Sequence, residues 1–374
     1  RLLKYTADII NEEINGYGIC GRAEADHFII CVVDIADIEG LLENISKRVS
    51  EFNKNMNIVI HYGIYQVEDR SISIELMCDR AMIAASTVKN KYDKKFAYYD
   101  DSIRKKLLQE QMLINDMRTS LAERRFKVFY QPKYDFKTEK IVGVEALVRW
   151  DHPKLGMVSP GVFIELFERN GFITEIDYFV WEEACKKLKE WTDNGYKNLS
   201  ISVNVSRINL YNNNLPNLLI ELVKKYNISP KSLHLEITES AYTENSEQII
   251  EGAERLKKIG FIIEMDDFGT GYSSLNMLAK LPIDVLKLDM GFVHSIEKDK
   301  NSLILLKVII NLAKELQLAI VAEGVETNKQ VNILKNIGCQ YAQGYYYSPP
   351  ISEEKLDKIF IENNSIISLG KTGE

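Results

Sequence analysis

The 374-residue chain lacks several things, and each absence narrows what it can be. No apolar run comes near the ~18 residues that a membrane-spanning helix needs. The N-terminus carries no signal-peptide pattern. Cysteine is scarce: Cys20, Cys31, Cys78, Cys185 and Cys339 stand singly, with no CxxC pair among them. An odd, scattered set of this kind argues against thiolate zinc and for reduced thiols in a cytoplasmic setting. Positive charge is not in excess, because 47 Lys and Arg face 54 Asp and Glu, a net charge of −7. A broad face for DNA or RNA is therefore not expected, although a small anion held through metal ions is compatible with that charge. No internal repeat or low-complexity segment stands out. The first residue is Arg1 rather than Met, so the expectation is a piece of a longer protein, whose absent part would carry any membrane anchor.

What is present fits a globular protein: 45% hydrophobic and 27% charged residues. The length favours two domains. From about residue 126 onward, short apolar runs alternate with longer amphipathic ones. Strands are expected at Phe126–Tyr130, Ile141–Trp150, Leu199–Val205, Ser232–Ile237, Phe261–Asp266, Val285–Leu288, Ala319–Ala322 and Tyr341–Gly344. Between them, "IDYFVWEEACKKLKEW" and "NSLILLKVIINLAKEL" repeat apolar residues at helical spacing, and "SEQIIEGAERLKKIG" does so up to a stop at Gly260. So many strand–helix alternations predict an α/β fold, a closed TIM-like (β/α)8 barrel rather than an open sheet. Its first two strands, in "FKVFYQPKYDFKTEKIVGVEALVRW", read as a hairpin, which makes the first strand antiparallel. Residues 1–100 follow another rhythm (helix, strand pair, helix, strand, helix) and predict a small α/β domain. A linker helix over 101–125, the barrel over 126–362 and a tail over 363–374 complete the expected organisation.

One stretch raises a chemical question. "GFIIEMDDFGTGYSSL" runs through apolar residues into two adjacent aspartates, Asp266 and Asp267. Two like charges in a row at a strand end repel unless a cation lies between them. Other barrel strands carry polar residues at corresponding positions: Glu145, Asn204, Glu236 with Glu239, Lys287, Glu323 and Gln343. Any one of these has an ordinary explanation, such as a cap, a turn or an ion pair between Lys287 and Asp289. Their recurrence on successive strands, whose ends converge on one mouth, does not. Oxygen ligands without nearby cysteine or histidine favour Mg2+ or Mn2+. Adjacent aspartates suit two ions roughly 3.5–4 Å apart, with Asp266 bridging and Asp267 serving the second.

These residues also resemble a known family. "VEALVRW", "NVS", "EITE", "DDFGTGYSS", "LKLD", "AEGVE" and "QGYYYSPP" follow in the order of an EAL-domain cyclic-di-GMP phosphodiesterase, over about residues 115–362. The resemblance implies hydrolysis of cyclic di-GMP to linear pGpG, with two Mg2+ or Mn2+ ions and inhibition by Ca2+. It implies that Glu145, Asn204, Glu236 and Asp266 hold one ion, and that Asp266 and Asp267 hold the other, with Glu323 nearby. Lys287 would contact the attacking water, and Glu323 would orient it or take its proton. Gln131, Leu147, Arg149 and Gln343 would meet the substrate. Glu239 would tether the loop Gly269–Ser274, including Ser273, which in the family couples the aspartates to a homodimer interface. Every ligand position of the pattern is filled, which favours cutting over the alternatives, a cyclic-di-GMP receptor or a signalling scaffold. Met290 stands where the family commonly has arginine, and Phe167 where it has a small residue.

Near the N-terminus, "GRAEADHFIICV" resembles the turn of a GGDEF diguanylate cyclase domain. The family's two glycines are Glu24 and Ala25 here, and its catalytic glutamate is His27. Glu24 would repel a nucleotide phosphate that glycines admit. The other metal aspartate and the inhibitory RxxD pattern are missing from the chain. The expectation is a degenerate, partial GGDEF-like domain without cyclase activity.

Overall fold

The computed structural model describes residues 1–33, 35–53, 56–89, 94–196, 198–244, 246–269, 278 and 280–360. The chain divides into two compact units, Arg1–Leu113 and Ile114–Glu374.

In the first unit, helices Leu2–Glu13 and Ile38–Ser50 pack through Ile9, Ile10 and Ile14 against Leu42, Ile45 and Val49. Both helices repeat apolar residues every three to four positions, so one stripe of each is buried. Strands β1 (Gly18–Arg22) and β2 (Phe28–Val32) pair antiparallel. The expected strand and helix follow as β3 (Tyr62–Ile64) and Ile74–Val88. A further strand, β4 (Phe96–Tyr98), pairs parallel with β3 and was not expected from the sequence. The turn between β1 and β2 is closed from within. The His27 N–H donates to the Glu24 carbonyl at 2.8 Å, and Ala25 takes a left-handed φ of 46°. The His27 side chain is 52% exposed, as a surface turn residue would be.

The second unit is a closed eight-stranded barrel. Its strands are β5 (Phe126–Asp135), β6 (Ile141–His152), β8 (Ser200–Asn204), β9 (Leu233–Thr238), β10 (Ile262–Phe268), β11 (Val285–Leu288), β12 (Ala319–Ala322) and β13 (Tyr341–Ala342). They pair in that order, and β5 closes the ring between β13 and β6. Strand β5 is antiparallel to both neighbours, and all other ring pairings are parallel. The short β7 (Gly156–Val158), unread in the sequence, pairs with β6 outside the ring. Connecting helices stop at left-handed glycines, Gly171 (φ 81°) and Gly338 (φ 82°), and start at side-chain caps such as Thr327 with Gln330.

Period-two alternation divides each strand between two environments. Ile201, Val203, Leu235, Ile237, Ile263, Met265, Leu286 and Leu288 are fully buried and form the apolar layer beneath the helices. The alternate positions face the barrel axis and are polar: Ser202, Glu236, Glu264, Asp266 and Lys287. At one rim, Phe126 and Trp150 stack with ring centroids 4.9 Å apart and are joined by Phe163, Phe167 and Phe172. Phe167 therefore fills a packed aromatic cluster rather than crowding the polar residues.

Candidate active site

Four of the carboxylates expected at the strand ends gather around one ammonium group. Lys287 Nζ lies 2.7 Å from Glu323 Oε1, 2.9 Å from Asp266 Oδ1, 2.9 Å from Glu236 Oε1 and 3.5 Å from Glu145 Oε2. The residue is 1% exposed. Burial opposes its charge, but the four carboxylates, Asp266 foremost, outweigh burial and hold its pKa well above the usual lysine value. Asp289 plays no part in this. Its side chain caps helix Met290–Ser295 by accepting the Gly291 N–H at 2.7 Å, so the simple Lys287–Asp289 ion pair is not what forms.

The adjacent aspartates reach the same place through a break in regularity. In a regular strand Asp266 and Asp267 would point to opposite faces. Strand β10 instead carries a register shift against β11 between Met265 and Phe268, and Asp267 adopts a left-handed φ of 56°. Bulges of this sort re-aim side chains beside active sites. Carboxylate oxygens of Asp266, Asp267 and Glu323 come within 4.8 Å of one another. Burial, then the neighbouring Asp266, raise the Asp267 pKa to about 6. Burial raises that of Glu323 to about 8 against the pull of Lys287, with Asp266 and Glu145 adding to the rise. Glu236 is likewise pushed up, by burial and Glu145. Fully ionised, these carboxylates would exceed what Lys287 balances, so the metal-free cluster retains protons that a divalent cation can replace.

Glu145 receives the Gln343 side-chain amide at 2.5 Å, and the same amide reaches Gln131 Oε1 at 3.0 Å. Gln131 stands opposite Glu145 in the β5–β6 register, so the reversed first strand brings it to the mouth. The Gln343 side-chain oxygen is buried with no hydrogen-bond donor among the described residues. Asn204 reaches Glu236 Oε2 at 3.5 Å, and its carbonyl accepts the Trp181 indole N–H at 3.0 Å. Leu147 and Arg149 lie part-buried on β6, with the Arg149 guanidinium over the Phe129 ring. Glu239 accepts the Gly269 N–H at 2.6 Å, as a tether at that loop requires. Residues 270–274 of that loop, Ser273 included, lie outside the described residues. Met290 is 51% exposed at the start of its helix.

A second polar layer lies deeper and was not read from the sequence. Lys133 Nζ contacts Ser202 Oγ at 2.6 Å, Glu264 Oε2 at 2.7 Å and Glu236 Oε1 at 3.1 Å. His234 Nδ1 reaches Glu264 Oε1 at 2.5 Å. Glu264 sits inside the stretch that reads as an apolar run. Its spacing of two from Asp266 is the signal that both face the axis.

Comparison with known proteins agrees with this geometry. The sequence profile of the EAL domain matches residues 114–350. The chain is 31% identical over 369 residues to the bifunctional diguanylate cyclase/cyclic di-GMP phosphodiesterase MucR of Pseudomonas aeruginosa, covering 95% of this chain and 53% of that protein. It is 32% identical over 379 residues to the signaling protein YkoW of Bacillus subtilis, covering 98% of this chain and 46% of that one. The chain therefore spans about half the length of these curated relatives. Among solved structures, the PaMucR phosphodiesterase in complex with c-di-GMP superposes with a TM-score of 0.63 at 37% identity, covering 66% of this chain and 99% of that one. By profile, by relatives and by the barrel with its reversed first strand, the chain belongs to the EAL-domain family.

Proposed function

We propose that this chain hydrolyses cyclic di-GMP to linear pGpG with the help of two Mg2+ or Mn2+ ions. The observation that carries the reading is the convergence of Glu145, Glu236, Asp266 and Glu323 on Lys287, with Asp267 and Asn204 beside them. The hard-oxygen donor set and the uncompensated acidity fit such ions. Glu145, Asn204, Glu236 and Asp266 would hold one, and Asp266, Asp267 and Glu323 the other. When bound, the ions stabilise negative charge on the phosphate and lower the pKa of water.

The protein's own groups supply the rest. Lys287 is a fixed buried donor for the attacking water or a phosphate oxygen. Glu323, once a bound ion has displaced its proton, stands beside Lys287 to orient that water or take its proton. Arg149 offers a planar donor fork to a phosphate or guanine edge, and Gln131, Leu147 and Gln343 line the same mouth. The PaMucR complex, solved with c-di-GMP, supports that substrate. Residues 1–100 are proposed as a degenerate GGDEF-like domain without cyclase activity and with a regulatory role. Residues 101–125 would be the linker, 126–362 the phosphodiesterase, and the dimer would form through the barrel.

The deciding experiment incubates the purified chain with cyclic di-GMP and Mg2+, Mn2+ or Ca2+, beside an Asp267→Asn variant. The expected result is pGpG with Mg2+ or Mn2+, suppression by Ca2+, and a loss on the order of 10²-fold or more in the variant. Tight binding without product under all three ions would make the pocket a receptor. Incubation with GTP should yield no cyclic di-GMP, and a change of hydrolysis at millimolar GTP would overturn the reading of the N-terminal unit as blind to nucleotide.

A further inference from the structure

Inside the barrel, the mechanism above leaves the buried ammonium of Lys133 unused. Lys133 comes from the reversed strand β5, two residues deeper than Gln131, and is 4% exposed. Its three N–H bonds have three acceptors: Ser202 Oγ at 2.6 Å, Glu264 Oε2 at 2.7 Å and Glu236 Oε1 at 3.1 Å. Glu264 is itself held on its other oxygen, by the Ser202 hydroxyl at 3.1 Å and by His234 at 2.5 Å. Ammonium, hydroxyl and carboxylate thus brace one another on three different strands, β5, β8 and β10.

The consequence falls on Glu236. Its Oε1 is shared by two ammonium groups, Lys133 at 3.1 Å and Lys287 at 2.9 Å. Its Oε2 faces Asn204 at 3.5 Å. Rotating this carboxylate would break two charge-assisted bonds in a water-excluded site, where such bonds are strong. We propose that Lys133, braced by Glu264 and Ser202, is a positioning residue for Glu236. It pins Oε1 from below and so presents Oε2, on the Asn204 side, as the oxygen that meets a metal ion. The inference rests on the reading of Glu236 as a metal ligand. Partners of this kind, which orient ligands without touching the metal, typically set metal affinity by 10–100-fold.

Charge and geometry are separated by removing the pair together. The double variant Lys133→Met, Glu264→Gln keeps the barrel's net charge and deletes the clamp on Oε1. Mn2+ is titrated into substrate-free protein by calorimetry and by the Mn2+ electron spin resonance signal. The expected result is a folded variant whose Mn2+ affinity falls about 10–100-fold. Hydrolysis should fall at limiting Mn2+, recover at saturating Mn2+, and show an unchanged KM for cyclic di-GMP. A folded double variant that binds Mn2+ within about twofold of the parent overturns the proposal. Should the double variant fail to fold, Lys133→Gln decides, because a shorter neutral side chain still fills the position. A roughly tenfold weaker Mn2+ affinity upholds the clamp, and parent-like affinity overturns it. If the parent binds no Mn2+, Glu236 is not a ligand and the proposal falls with that reading. A parent that binds Mn2+ without cutting cyclic di-GMP sinks the proposed reaction alone and leaves the clamp standing.

Discussion

Lys287 on β11 and Glu323, the residue that follows the adjacent strand β12, approach to 2.7 Å, and the same ammonium serves three further carboxylates. One cation therefore balances several buried anions. Breaking a buried ion pair by removing one partner is costly because the other charge stays behind unpaired. Lys287→Met should lower the metal-free stability by roughly 3–5 kcal/mol. Mn2+ should raise the melting temperature of this variant more than that of the parent, since the ion then takes over the compensation that Lys287 supplies in the parent. Thermal melts with and without Mn2+ check this, and equal shifts would count against it.

Metal binding should release protons at neutral pH. Burial raises the Glu323 pKa to about 8 and the Asp267 pKa to about 6. A carboxyl with a folded pKa above its unfolded one contributes stability that is full below the unfolded value and lost as pH rises through the folded value. For Glu323 that loss extends to about pH 8 in the metal-free protein. A divalent ion competes with those protons, so Mn2+ affinity should climb between about pH 6 and 8. Calorimetry at pH 7 in buffers of different ionisation enthalpy reads the released protons directly.

Asp177 offers a pH effect away from the cluster. Its carboxylate is buried on helix Ile173–Asp193 and accepts the Ser206 N–H at 2.9 Å and the Asn209 amide at 2.8 Å. Burial raises its pKa to about 6 despite those bonds. Its contribution to stability is full below the unfolded carboxylate value and lost as pH rises through about 6. Asp177→Asn keeps an acceptor oxygen without the charge. Relative to this variant, the parent should lose roughly 3 kcal/mol between about pH 4 and 7. Parallel denaturation curves for the two across that window would contradict the assignment.

At Gly269, two constraints meet in one residue. Its φ is 106°, and a Cβ built there would lie 1.6 Å from Phe292 Cε2. Its N–H is held by Glu239. Glu239→Ala should cost hydrolysis about tenfold or more with little change in substrate binding, and Glu239→Gln should cost less, because an amide oxygen still accepts the bond. Gly269→Ala should be at least as damaging, with partial recovery when Phe292→Ala opens the space. Steady-state kinetics on the four variants checks the order.

The barrel was legible because its strands and helices carry clean periods of two and 3.6. The reversed first strand was legible as a hairpin, since a polar turn joins two apolar runs around Asp135–Lys140. Strands β4 and β7 escaped because three residues carry too little alternation to register. Within the site, Glu145, Glu236, Asp266, Lys287 and Glu323 stood out by their recurrence at strand ends. Glu264 did not, flanked as it is by Ile263 and Met265, and Lys133 did not, because reversing β5 inverts which residues lie deep. Asp267 runs against the alternation rule, for only its left-handed backbone turns it toward Asp266. Gln131, Leu147 and Arg149 came from family resemblance alone, as nothing in their local pattern separates them from ordinary strand residues.

The reversal of β5 also changes where the chain enters the barrel. In an all-parallel barrel the first strand begins at the face opposite the loops that do chemistry. Here Phe126, the first residue of β5, pairs with Trp150 near the far end of β6, so entry and mouth share one rim. The Arg125 carbonyl, one residue earlier, accepts the Asp151 N–H at 2.9 Å. Displacing the residues just before Phe126 therefore strains the strand that bears Glu145 and Arg149 at its working end.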